Sequence, residues 1–381
     1  MVGLALLGYG VVGSGVAELL QKNAAHIEKK AGGKIGLRHI LDIRDLSRTP
    51  YADLATQDFS QIENDPDVQV IVECIGGVGT ALDYVSRALR AGKHVITSNK
   101  ELVAEHGAEL LAMAKERNLN FLFEGSVGGG IPVLRPLAQC LAANQLYEIV
   151  GILNGTSNYI LTRMLHQSAS FDEALREAKS YGYAESNPVD DVSGRDACRK
   201  ICVLASLASG RHVYPAQVDT EGITQIGGSD MRFAQRNGYR VKLLGRAIFR
   251  EPAVCNVIYV APHLVPEDHP LAGVHDVFNA VWIHGDTVGE VMFYGRGAGR
   301  EPTASAIAAD IIDTAKHMTA RKWLGWDPSD SRERLSPVEL PSVWYVRTAQ
   351  GGQLTEPMTA RKYDAWARTL PKEPEYRMRV L

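Results

Sequence analysis

The chain has 381 residues, a formal net charge of −3 and an apolar fraction of 45%. That length suits two domains, or three, with ample apolar residues for buried cores. The near-neutral charge gives no basic footprint for nucleic acid or an acidic membrane, and five scattered cysteines with no CxxC pair argue against a disulfide framework and a zinc site.

Val2–Leu20 carries one charge, Glu18, and is about as long as a membrane span. It lacks a positively charged leader, and glycines at 3, 8, 10, 13 and 15 interrupt it, so strand, glycine turn and helix explain it better. Val2–Leu7 reads as a buried strand. GYGVVG at 8–13 follows at once, and Val16, Leu19 and Leu20 begin a helical stripe. GxGxxG between strand and helix lets backbone approach a pyrophosphate at the helix N-terminus. Further strands are expected at about 35–43, 68–73, 94–97 and 120–124, with helices near 81–91 and 103–117. This alternation predicts a doubly wound parallel sheet of Rossmann type. Ligands bind such sheets beyond the carboxyl ends of the strands. Gly8–Gly13, Arg44, Gly76-Gly77, Lys100 and the loop 125–132 all fall at that edge.

From about Leu146 the texture changes to an α+β domain with a mostly antiparallel sheet. Strands are expected at 147–154, 241–249, 254–260, 282–285 and 290–294. Helices are expected at 158–167, 171–181 and 195–208, with another at 303–314 after the glycine-rich turn 295–299. The residues 327–334 read as an exposed linker. Val343–Arg347, Ala360–Leu370 and Arg377–Leu381 predict a small strand–helix–strand unit. Cys198 and Cys202 have helical spacing and read as core residues, and a reducing cytoplasm fits the cysteine usage.

The segment Tyr183–Lys200 concentrates chemistry. Asp196 and Lys200 are four apart and share a helix face. Glu185, Asp190 and Asp191 lie just upstream, where Asn187-Pro188 and Ser193-Gly194 break regular structure. A lysine beside fixed carboxylates can carry a proton, and spare carboxylates can hold a cationic group. A solvated, salt-bridged helix start has the same pattern.

Taken in order, GYGVVG at 8–13, SNK at 98–100, EGSVGGGIP at 124–132, NGTSNYIL at 154–161, YAESNP at 183–188, DVSGRDACRK at 191–200 and GAGREPTASA at 297–306 resemble the homoserine dehydrogenase family over most of residues 1–318. The resemblance implies NAD(P)-dependent interconversion of L-homoserine and L-aspartate 4-semialdehyde. It implies a nucleotide-binding domain over 1–138 completed by a helix at 303–318, and a catalytic and dimerisation domain over 139–302. The extension 325–381 would then be a partial ACT-like unit. A homodimer or homotetramer is expected, with no nucleic-acid or membrane partner.

By the same resemblance, Lys200 is the proton carrier, Asp196 orients it, and Lys100 is a second functional lysine near cofactor and substrate. Two clustered cations would depress each other's proton affinity. Glu185 and Asp191 match substrate contacts that suit an ammonium. Asn154, Gly155 and Thr156 offer backbone amides and a hydroxyl to the carboxylate, with Thr156 equally readable as a helix N-cap. Tyr183 lines the pocket or packs in the core. Gly8, Gly10, Val11, Val12, Gly13, Gly76, Lys100 and Gly299 would contact the dinucleotide. Arg44 would meet the 2′-phosphate of NADP, the preferred cofactor, whereas Asp42 would instead accept from an NAD ribose. The family binds a monovalent cation, usually sodium. Here Glu124 would give its side chain, and Val127, Gly129 and Ile131 their carbonyls. Glu124 capping its loop is the alternative.

Two departures stand out. The family's Glu-x-Asp-Pro is Glu185-Ser186-Asn187-Pro188 here, and the tail is short for an ACT domain and lacks its glycine-rich turn. Threonine control is therefore not expected. A dehydrogenase for another short amino-acid semialdehyde, or a catalytically silent cofactor-binding protein, are the other readings; intact Lys100, Asp196 and Lys200 oppose the second.

Overall fold

The computed structural model describes residues 1–185, 187–251, 254–328 and 336–381. The chain divides into two units: Met1–Cys140 with Gly210–His212 and Ala298–Asp330, and Leu141–Ser209 with Val213–Gly297 and Ser331–Leu381. Among the described residues no helix is long and apolar enough to cross a membrane.

The first unit is built on six parallel strands: β1 (Val2–Leu7), β2 (Ile35–Leu41), β3 (Ala55–Thr56), β4 (Val70–Glu73), β5 (His94–Thr97) and β6 (Phe121–Leu122). Their order is β3-β2-β1-β4-β5-β6, so the chain reverses its direction of winding between β1 and β4. β1, β4 and β5 are almost wholly buried, which is why their sequences are unbroken apolar runs rather than alternating ones. Helix 11–22 follows β1, and helices Gly79–Arg90 and Lys100–Glu116 follow β4 and β5. Helix Arg300–Lys316 returns to this unit, where Ala304, Ile307 and Ile311 join Leu4, Leu6, Val16, Ile96 and Leu122 in one apolar cluster. Trp326 is buried here as well, its indole donating to His212 Nδ1 at 3.1 Å.

Among the described residues the second unit has nine strands: β7 (Leu146–Ile152), β8 (Asp219–Thr220), β9 (Tyr239–Glu251), β10 (Val254–Pro266), β11 (Phe278–Gly285), β12 (Gly289–Arg296), β13 (Trp344–Thr348), β14 (Gly351–Leu354) and β15 (Tyr376–Val380). They run β12-β11-β7-β9-β10-β15-β13-β14, with β8 beside β10. The pairing is antiparallel except where β8 and β15 lie parallel to β10. Helices Gly155–Gln167, Phe171–Ser180 and Arg195–Ser209 belong to this unit. Ser170 and Glu173 close the reciprocal capping box that starts the second of them.

Several boundaries differ from expectation. Helix 100–116 starts at Lys100, not 103, because the Asn99 side chain accepts the Leu102 amide and caps it. The strand expected at 120–124 shrinks to two residues, since Glu124 already enters a 3-10 turn. The tail is a β13–β14 hairpin, helix Ala360–Ala367 and β15, joined to the sheet through β10. Of the expected linker, residues 329–335 lie outside the described residues. Helices Ala24–Ala31 and Gly228–Arg236 were not foreseen.

Candidate functional site

In the first unit the chain leaves β1 through Gly8, whose φ of +90° is a left-handed conformation open to glycine. A Cβ on Gly13 would lie 2.0 Å from the Gly8 carbonyl oxygen, so this close approach also requires glycine. A Cβ on Gly10, by contrast, would meet only open space. The first intrahelical bond runs from the Ser14 amide to the Gly10 carbonyl, 2.9 Å. The amides of Val11, Val12 and Gly13 therefore have no acceptor among the described residues. Gly10 provides no side-chain cap, and the first turn holds no acidic residue. These are the conditions for an anion at a helix N-terminus.

The neighbouring turns are held by two carboxylates. Asp42, just past β2, accepts the Tyr9 amide at 2.7 Å, the Arg44 amide and Nε at 2.9 Å, and Arg44 Nη2 at 2.7 Å. The guanidinium bonds, ahead of the backbone amides, hold the Asp42 carboxyl far below its usual range. Glu73, at the end of β4, is fully buried and accepts the Ile75 amide at 2.7 Å, the Gly76 amide at 3.1 Å and the Thr97 hydroxyl at 2.5 Å. Burial pushes its pKa up. Asn99 donates to the Gly77 carbonyl at 2.6 Å, linking this turn to the helix that begins with half-buried Lys100. Gly299, with φ +128°, precedes helix 300–316. Arg300 reaches back to Glu18 at 2.5 Å and Ser14 at 3.4 Å on the glycine-loop helix.

Glu124 is buried, and its carboxylate accepts the amides of Val133 (2.8 Å), Leu134 (3.0 Å) and Arg135 (2.8 Å). The capping role expected as the alternative is therefore filled. Three donors leave one of about four acceptor positions on a carboxylate. Val127, Gly129 and Ile131 are buried, and their carbonyls accept no hydrogen bond among the described residues, whereas Gly128 O takes the Ile131 amide at 2.8 Å. Asp310 accepts the Glu124 amide at 2.8 Å and pairs with Arg135 at 2.5 Å. Burial raises its pKa to about 8 despite that arginine.

In the second unit, β7 delivers Leu153 and Asn154 to the start of helix 155–167. Lys200, 7% exposed, donates to the Leu153 carbonyl and to Asp196 Oδ2, both at 2.7 Å. The Asn154 amide nitrogen donates to Asp191 Oδ1 at 2.7 Å and to Asp196 Oδ2 at 2.9 Å. Its Oδ1 accepts the Ser157 amide at 2.7 Å. Asn154, not Thr156, is thus the N-cap of the helix that Gly155 opens. The Thr156 hydroxyl donates instead to the Tyr183 carbonyl at 2.6 Å. The Tyr183 ring is 43% exposed and tilts against Tyr159, centroids 5.0 Å apart, so it is no core residue. Asp190 turns away from this group to Arg199, at 2.5 Å. Glu185 is exposed and makes no hydrogen bond or ion pair with another described residue, and Ser186 in the same motif lies outside the described residues. Cys198 and Cys202 are buried, as expected.

The structure gathers Asp191, Asp196 and Lys200 in the second unit, with Thr156 joined to Tyr183, and leaves Glu185 apart. Lys100 belongs to the first unit. Sequence reasoning missed the Asn154 side chain as the link between the two aspartates. The signal was present, since an Asn before Gly-Thr at a helix start is a capping pattern. It also missed Glu73, a lone charge ending an apolar strand.

Residues 8–124 match the family profile described as the homoserine dehydrogenase NAD binding domain, and residues 132–312 that described as homoserine dehydrogenase. The chain is 39% identical over 350 residues to the homoserine dehydrogenase of Bacillus subtilis, spanning 90% of this chain and 80% of that protein. It is 40% identical to that of Neisseria gonorrhoeae over 91% of this chain and 81% of that one. A solved homoserine dehydrogenase from Thiobacillus denitrificans superposes with a TM-score of 0.92 at 32% identity, covering 100% of this chain and 98% of that one. A hyperthermophilic archaeal homoserine dehydrogenase in complex with NADPH gives 0.70 at 27% identity over 82% and 97%. A six-stranded dinucleotide-type sheet, a buried lysine–aspartate pair and these likenesses together mean that the chain belongs to the homoserine dehydrogenase family.

Proposed function

We propose that this chain interconverts L-homoserine and L-aspartate 4-semialdehyde, using Lys200 as the group that exchanges a proton with the substrate oxygen. The observation that carries this reading is the buried Lys200–Asp196 pair at 2.7 Å, tied to Asp191 through Asn154. A bound nicotinamide supplies or accepts the hydride. Asp196 orients Lys200, whose ammonium stabilises negative charge on the aldehyde oxygen and gives it a proton in reduction; in oxidation the neutral Lys200 amine takes the hydroxyl proton. Asp191 pairs with the substrate ammonium, and the exposed Glu185 joins it when substrate binds. Gly155 and Thr156 face the substrate carboxylate. Lys100 is a second cation beside cofactor and substrate.

The pyrophosphate takes the free amides at Val11–Gly13, with Gly8, Gly10, Gly76 and Gly299 letting backbone approach it. NADP is the better fit. Asp42 is already an acceptor for four donor contacts, so a ribose hydroxyl would have to displace one, while the Arg44 side chain is 58% exposed and available to a 2′-phosphate. A sodium ion suits the Val127, Gly129 and Ile131 carbonyls with the remaining position on Glu124. We read the assembly as a homodimer or homotetramer acting in the cytoplasm. The test is spectrophotometric: purified protein should reduce NADP, and more slowly NAD, with L-homoserine. Turnover with a different short hydroxy amino acid but not with homoserine would move the substrate assignment; no turnover with any would overturn the enzymatic role.

A further inference from the structure

We propose that Asn154 is a positioning residue that couples the substrate-binding carboxylate Asp191 to the Lys200–Asp196 pair, an assignment that rests on the homoserine dehydrogenase reading above. The geometry is specific. One amide nitrogen directs its two hydrogens to two different carboxylates, at 2.7 and 2.9 Å. With both hydrogens used, the two accepting oxygens are held about 5 Å apart. Two like charges at that spacing repel each other, and the amide placed between them offsets the repulsion. The Asp196 oxygen involved is also the one that accepts from Lys200, so Asn154 and Lys200 approach a single atom from two elements. Lys200 is pinned a second time by the carbonyl of Leu153, the residue before Asn154. A shift of the β7 exit therefore moves Lys200, Asp196 and Asp191 together.

Asn154 has a second job that a test must separate from the first. Its Oδ1 caps helix 155–167 through the Ser157 amide at 2.7 Å. Asn, Asp and Ser are nearly equal as N-caps. If capping were its whole role, Asn154→Ser and Asn154→Asp would both behave like the parent. The bridging role predicts a different order. Serine keeps an oxygen for the cap but is too short to span both carboxylates. Aspartate keeps the cap and adds a third carboxylate oxygen where a donor is needed.

The experiment measures steady-state constants and melting temperature for the parent, Asn154→Ser and Asn154→Asp. Expected is a melting temperature for Asn154→Ser close to the parent's, kcat/KM for homoserine lower by about 10²-fold, and an unchanged KM for the nicotinamide cofactor. Asn154→Asp should be slower again than Asn154→Ser. Both variants within about threefold of the parent in kcat/KM would overturn the proposal, as would equal losses in the two variants that track their losses of stability. If Asn154→Asp does not fold, Asn154→Ser alone decides. A parent without homoserine turnover would instead overturn the functional reading and the inference with it.

Discussion

Lys200 is the side chain to which the proposed mechanism assigns the proton transfer. Lys200→Ala should lower kcat by about 10²–10⁴-fold while cofactor affinity, followed by nucleotide fluorescence, stays near that of the parent. Near-parental turnover would remove Lys200 from its role. Arg44 is the residue proposed to govern a separate choice, NADP over NAD. Its guanidinium forms a bidentate pair with Asp42 and is more than half exposed. Arg44→Ala deletes the partner for a 2′-phosphate and frees Asp42 to accept from a ribose, so the NADP-to-NAD ratio of kcat/KM should fall about 10- to 100-fold. A constant ratio would hand the choice to another group. Lys242 gives a third prediction, one of stability. It is 2% exposed and donates to the Val274 carbonyl and to Asn158 Oδ1, 3.3 Å away. Burial, ahead of repulsion from Arg240, draws its pKa down to about 7. The unfolded value is about 10.4, so between the two the unfolded chain binds more protons. The lysine's contribution to stability is thus full above pH ~10.4 and is lost as pH falls through about 7. Relative to the parent, Lys242→Met should look best near pH 7 and lose ground by up to about 1.4 kcal/mol per pH unit above it. Urea unfolding from pH 7 to 9.5 would show this; a stability difference independent of pH would mean that Lys242 does not titrate in that window.

At the scale of elements, what sequence makes visible is what depends on an apolar period. β1, β4 and β5 are legible because both faces are covered and their residues are nearly all apolar. Helix Gly228–Arg236 is not, because its inward residues include Asp230, a fully buried charge satisfied by Tyr345 and Arg347 more than 100 positions away. β14 is hidden by its glycines, 351 and 352, which have no propensity for a strand. The site shows the same division. The Lys200–Asp196 pair follows from i, i+4 spacing within one helix, whereas the Asn154 bridge spans 37 and 42 positions and leaves no periodic trace. Asn158, from the same NGTSNYIL stretch, is structural: its amide reaches the carbonyls of Val274, Asp276 and Phe278. One short segment carries a test of how elements position the site. Gly222 lies under the turn that follows the short helix Val189–Val192, which carries Asp191; a methyl there would be 2.1 Å from the Val192 oxygen and 2.6 Å from the Ser193 Cα. The next residue, Ile223, donates its amide to that same oxygen at 2.9 Å. Gly222→Ala must therefore push the 189–194 turn outward. We expect a loss of about 1–3 kcal/mol in stability and a rise of 10-fold or more in KM for homoserine, with the nicotinamide KM unchanged. An unaltered homoserine KM would show that this turn does not set the position of Asp191.

At the scale of the whole chain, the last 46 residues of the sequence are part of the second unit's sheet rather than an appendage to it. β15 runs parallel to β10, with His263 opposite Arg379 and Leu264 opposite Val380. Trp344, Val346, Ala360, Tyr363 and Ala367 form an apolar cluster between the tail's strands and its helix. The polar ties are stronger evidence of integration than the apolar ones. Tyr345 donates to Asp230 at 2.7 Å and Arg347 pairs with it at 2.5 Å, and Asp230 is completely buried. Within the tail itself, Arg379 is 5% exposed and donates to the Pro337 and Leu340 carbonyls and the Ser342 hydroxyl. A truncation after residue 335 would strip β10 of β15 at His263 and Leu264 and leave Asp230 as a buried charge without Tyr345 and Arg347. Breaking a buried pair costs about 3–5 kcal/mol, and an uncovered edge strand invites association with other chains. The truncated chain is therefore expected to melt at a much lower temperature, or to aggregate. A regulatory domain, by contrast, needs a second site and an element with two states that both sites bias; a tail fixed by the Arg347–Asp230 pair on a continuous sheet resists such switching. Millimolar threonine should accordingly leave homoserine turnover nearly unchanged in the full chain. Strong inhibition by threonine that disappears in a folded, active truncation would show that residues 336–381 regulate the enzyme rather than complete its sheet.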